Sequence, residues 1–127
     1  MTNKKKYTTT TIKQFNDFKQ ECKYWIDQFG LNGWKVYYEH GGNNEDTYAT
    51  LFTDINGRVA TVCFAKEWYM RGVDDVNIGI KEAAKHEMIH LLLARMSAVG
   101  EARYADKNEI VSSEEELVRM LEQIIKN

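Results

Sequence analysis

His86 and His90 stand four residues apart within Ala83 to Met96, a run composed mostly of Ala, Met, Ile and Leu, and Glu87 directly follows the first histidine. On a helix, a spacing of four stacks both imidazoles on one face, within reach of a single metal ion. The surrounding apolar residues point in most other directions, so such a helix must be buried and the fold has to wrap it. Ionisable groups inside so apolar a helix are costly to desolvate unless an opposite charge compensates, and a bound divalent cation supplies one.

Advancing about 100° per residue from His86, His90 falls near 40°, Ala83 near 60°, Ala94 near 80° and Glu87 near 100°. The small alanines beside the histidines leave room for a metal, a water and a substrate. A three-position motif also arises by chance, and a lone histidine on a helix is usually structural. The buried, alanine-flanked stripe is what separates this pair from that background. Imidazole and carboxylate donors with no cysteine nearby suit zinc in a three-ligand site with an open fourth position. Glu87, too far round the helix to share the metal, is placed to take a proton from the metal's water and return it to a leaving amine.

A third ligand should lie downstream. The last helix is predicted from Asp106, with Glu109 as capping-box partner, to Ile125, and it offers Glu114, Glu115 and Glu116. With Leu117 as origin at about 100° per residue, Ile110, Leu121, Ile125 and Val118 form an apolar stripe, and Glu114 falls near 60° in its middle. Glu115 (near 160°) and Glu116 (near 260°) then point away on the same phasing. Glu114 is therefore the expected third ligand, ahead of Glu115 and of a purely helix-dipole role for all three glutamates. His40, the remaining histidine, precedes Gly41-Gly42 and reads as an exposed residue at a strand end.

Elsewhere the chain reads in order. Phe15, Phe18, Cys22, Trp25, Ile26 and Phe29 recur at helical steps, predicting an amphipathic helix over 12–29 that ends at Gly30. Trp34 to Glu39 alternates like a half-buried strand, and Tyr48 to Asp54 and Arg58 to Ala65 are two more, joined by a tight turn at Asn56-Gly57. Residues 66–73 form an aromatic connection, after which Asp74, Asp75 or Asn77 is placed to cap the central helix, expected to end near Met96. The expected fold is thus α+β: an N-terminal helix, a small three-stranded sheet, antiparallel or mixed, a buried active-site helix and a C-terminal ligand helix. Residues 1–11 are expected as a flexible tail and 12–127 as one domain.

At 127 residues the chain can build one core without disulfides. Its net charge of -2 gives no electrostatic reason to expect nucleic acid or an anionic membrane as partner, and Lys4, Lys5 and Lys6 read as a solvated terminus. Cys22 and Cys63 read as buried thiols, which favours a reducing cytoplasm. Neither a secretory signal nor a membrane-spanning run is visible.

The chain resembles the short, zinc-dependent metallopeptidases of the zincin class, and is most similar to compact phage and bacterial proteins of the ImmA/IrrE-like and SprT-like groups. His86-Glu87-x-x-His90 followed by Leu91-Leu92-Leu93 resembles their active-site helix. Glu114-x-x-Leu117-Val118-x-Met120-Leu121 is similar to the downstream glutamate helix of the first group. Phe29-Gly30-Leu31-x-x-Trp34 and Arg58-Val59-Ala60-Thr61-Val62 extend the likeness over most of residues 12–126. The resemblance implies a monomeric zinc peptidase, cytoplasmic in a bacterial host, that binds one Zn2+ through His86, His90 and Glu114 and uses Glu87 as general base. It also implies a protein or peptide substrate added as a strand along 58–65, with neither nucleic acid nor membrane as partner. On this resemblance the chain is expected to lack the extra subdomain with which many zincins complete their cleft. It has no clear match to their transition-state-stabilising residue, for which Tyr104 and His40 are the candidates. The competing reading is a zincin-fold regulator that keeps the metal site and acts by docking to a protein partner without cleavage.

Overall fold

The computed structural model describes residues 7–44, 46–69, 73–101 and 106–125. These form an α+β arrangement of three helices and two small sheets: β1 (Thr8–Thr9), α1 (Ile12–Gln28), β2 (Lys35–His40), β3 (Ala49–Asp54), β4 (Val59–Phe64), β5 (Glu67–Trp68), α2 (Val73–Glu101) and α3 (Lys107–Ile124). No helix among the described residues is long and apolar enough to cross a membrane.

α1 forms where its aromatic stripe predicts. Thr11 caps it through a reciprocal box, its hydroxyl accepting from the Gln14 amide while the Gln14 side chain accepts from the Thr11 amide. At the other end Gly30, at φ 68°, closes a Schellman motif in which the amides of Leu31 and Gly30 donate to the carbonyls of Ile26 and Asp27. Phe18 and Cys22 are fully buried, with Trp25 and Ile26 nearly so. Buried Gln14 reaches across to Asn77 of α2 at 2.9 Å, fixing one helix against the other.

The three-stranded sheet is mixed, in the order β2-β4-β3. β3 and β4 are antiparallel neighbours, while β2 lies parallel to β4 on its other side. Alternation within a strand reveals its buried face but not its neighbours. The strand along 58–65, expected as the edge to which a peptide adds, is instead central, with both edges already paired. The free edges belong to β2 and β3, and of these β3 runs beside α2. The β3–β4 turn also differs from the two-residue form. Asp54 Oδ1 accepts from the amides of Asn56 and Gly57, and the left-handed residue of the resulting four-residue loop is Arg58 (φ 52°).

Of the tail expected over residues 1–11, residues 1–6 lie outside the described residues, and Thr8, Thr9 and Thr10 are held by the fold. Thr8 and Thr9 pair with Trp68 and Glu67. Buried Thr10 donates its hydroxyl to the Ala65 carbonyl at 2.8 Å and meets His40 Nε2 at 2.7 Å. The aromatic connection thus acquires a role, since β5 seats the fully buried Trp68 against Phe64.

α2 is the longest element, at 29 residues. Val76, Ile80, Ala84, Met88 and Leu91 face the core made with α1 and the sheet. The helix is less enclosed than its composition implies: Ile78 and Met96 are 74% and 53% exposed. It also runs past Met96, so Ser97 is helical. Asp74, Asp75 and Asn77, expected as caps, lie inside the helix. α3 is capped as expected by Asp106, but the side chain accepts from the Asn108 amide and Glu109 is simply an acid of the first turn.

Candidate metal centre

His86 and His90 project from α2 toward α3, and three carboxylates of α3 meet them. His86 Nδ1 is 2.5 Å from Glu122 Oε1, and His90 Nδ1 is 2.7 Å from Glu114 Oε2. Ser97 donates its hydroxyl to the other Glu114 oxygen. Each ring is thereby held by a carboxylate on Nδ1, so the Nε2 of a neutral imidazole presents its lone pair outward. The two Nε2 atoms face each other across 3.2 Å. Glu115 Oε1 lies 2.6 Å from His90 Nε2, and its Oε2 3.9 Å from His86 Nε2. Two lone pairs and a carboxylate converging on one point repel unless a cation or a proton sits among them, and the donor chemistry fits a divalent metal. Among the described residues His86, His90 and Glu115 form the group able to hold one, each with a donor atom within 4.8 Å of the others.

The group that could hold a metal ion thus takes in Glu115, while Glu114, the expected third ligand, meets His90 Nδ1. The physical reason lies in the phase of α3. Val118 is fully buried while Leu117 is 39% exposed, so the packed face is centred near Val118 and takes in Glu114, Glu115 and Glu122. Hydrophobicity misplaced the face because α3 meets imidazoles, and its inward residues are acids. Glu122, absent from the sequence reading, lies four residues beyond Val118 and was marked only by that spacing.

Glu87 lies one residue past His86 on α2 and lines the same groove, at 8% exposure. Burial, reinforced by the Glu115 and Glu122 charges, pushes its carboxyl up to about 8. A folded-state value raised above the ordinary 4.5 means that the metal-free fold binds this proton more tightly than the unfolded chain. That stabilising contribution is complete below pH 4.5 and is lost as pH rises through about 8. In metal-free protein, Glu87→Gln should gain on wild type by a few kcal/mol between about pH 4 and 8. Urea midpoints across that range measure it, and parallel profiles for the two proteins would contradict it.

Lys85, 3% exposed, donates to the carbonyls of Glu122 and Ile125 at 3.1 and 3.2 Å and pairs with Glu82 at 3.3 Å. It ties the C-terminal end of α3 to α2 and so sets where Glu122 meets His86. Lys85→Met keeps the stem and removes the donors, and should cost about 1–3 kcal/mol in chemical denaturation. An unchanged midpoint would show that this tie carries no weight.

The groove is ≈ 580 Å³, walled on one side by Ala49, Leu51 and Thr53 of β3 and on the other by His86, His90 and Ala94 of α2. His40 does not line it: its ring stacks on Phe15 at 4.9 Å on another part of the fold. Tyr104, the other candidate for a transition-state role, lies outside the described residues. Cys22 and Cys63 are both free and buried as expected, and burial pushes both thiols up.

No protein-family model, curated protein or solved structure matches this chain. What the fold and the site define together is an α+β protein with a group of two histidines and a glutamate able to hold a metal ion.

Proposed function

We propose that the protein is a zinc-dependent metallopeptidase of zincin type that hydrolyses peptide bonds of a protein substrate. The observation that carries this reading is the buried Glu87 carboxylate directly beside the His86, His90 and Glu115 donors, inside a groove. A site serving structure alone has no need of a neighbouring base. Bound by those three residues, zinc supplies Lewis acidity toward a water and a substrate carbonyl. Glu87 accepts the water's proton and delivers it to the departing amine. Its elevated proton affinity in the metal-free protein falls when a cation is bound close by, leaving it ionised and able to act as a base.

The unpaired edge of β3 supports a peptide substrate. An extended segment lying antiparallel along it satisfies the free backbone groups of Ala49–Asp54 and passes the histidines on α2. Zinc-loaded protein incubated with an unstructured protein and with a mixed peptide library should generate new termini, read by mass spectrometry, that a chelator abolishes. No new termini with either substrate would count against the peptidase reading.

A further inference from the structure

The β1–β5 ribbon has two unlike faces. Thr8 pairs with Trp68 and Thr9 with Glu67, so the register brings Tyr7 opposite Tyr69. Alternation then turns Trp68 inward, fully buried, and leaves Tyr7, Tyr69 and Glu67 on the outer face. Tyr7 and Tyr69 meet edge to face, with centroids 5.5 Å apart at 64°, like two adjoining walls. Tyr48 stacks one ring face on Trp68 at 4.5 Å and donates its hydroxyl to the Tyr69 carbonyl at 3.3 Å, forming a third side. Asp46 and Glu67 line the resulting ≈ 350 Å³ cavity, and among the described residues no lysine, arginine or histidine lines it.

Three tyrosines around a cavity that two acidic residues also line make an environment that attracts an organic cation, through ring quadrupoles and charge together. Thr47 lines both this cavity and the metal groove, so the two adjoin at the N-terminal end of β3. We infer that the Tyr7–Tyr48–Tyr69 cavity is a subsite for a lysine or arginine side chain of the peptide bound in the groove. This rests on the proposed peptidase only for the source of the cation. Because β3 leads away from Thr47, a peptide lying antiparallel along it reaches the cavity with its C-terminal part. Substrates are thus selected for a basic residue on that side.

The test uses full-length, metal-free protein, with N-acetyl-arginine amide and N-acetyl-lysine amide as probes and N-acetyl-norleucine amide as the uncharged control. Tyrosine ring protons are followed by NMR. Both cations should produce saturable shifts with dissociation constants on the order of millimolar, and norleucine none. Tyr69→Ala and Glu67→Gln, both at exposed positions, should each weaken binding about two- to fivefold, and His90→Ala should leave it unchanged. Absence of saturation, or equal shifts from norleucine, would overturn the subsite. Because the probes need neither metal nor catalysis, a failure of peptide hydrolysis leaves this result standing, and the reverse also holds.

Discussion

Glu87→Gln is expected to keep a full equivalent of zinc and to lose peptide hydrolysis by roughly 10²–10⁴-fold, the usual contribution of a positioned general base. Retained metal follows from the geometry: Glu87 is not among the three donors that converge between α2 and α3. Lost activity follows because the amide cannot accept the proton, and no other described carboxylate is both buried in the groove and free of an imidazole partner. Glu114 and Glu122 are engaged on Nδ1 atoms, and Glu115 faces the Nε2 atoms. The measurement is kcat/KM on whichever peptide the library identifies, alongside metal content of the same preparation. A rate within tenfold of wild type, with zinc bound, would remove Glu87 from the chemistry.

The second large effect separates Glu114, Glu115, Glu116 and Glu122, four of the five glutamates of α3. Glu115→Ala removes a donor and should leave a two-histidine site unable to retain zinc through dialysis. Glu114→Ala and Glu122→Ala free the Nδ1 side of one ring each and should weaken zinc about 10–100-fold without emptying the site, as expected for residues that orient a ligand. Glu116, exposed on α3, should have no effect. Competition with a chromophoric chelator gives all four affinities. Zinc lost with Glu114 and retained with Glu115 would reverse the assignment.

How much of this was readable beforehand depended on what each pattern encodes. The aromatic period of α1, the glycine that ends it and the two-histidine spacing of α2 are local signals, and each appears where the sequence puts it. Sheet order is not local: Val36, Tyr38, Val62 and Leu51 point to one face in either arrangement, so nothing in their alternation marked β4 as central. The inward position of Glu115 was misread for a related reason. Apolar phasing locates the buried face of a helix that packs on hydrocarbon, whereas α3 packs partly on imidazole and turns Glu114, Glu115 and Glu122 inward with Val118. The tyrosine cavity was invisible in sequence, because it is assembled from Tyr7, Tyr48 and Tyr69 on three separate segments.

The most direct test of the metal centre is cobalt titration of metal-free wild-type protein beside His86→Ala and Glu115→Ala, followed by visible absorption. One cobalt per chain, with the intense bands of a low-coordinate nitrogen and oxygen site that both substitutions abolish, is the expected result. No stoichiometric binding, or a spectrum unchanged by either substitution, would contradict a metal centre built from His86, His90 and Glu115.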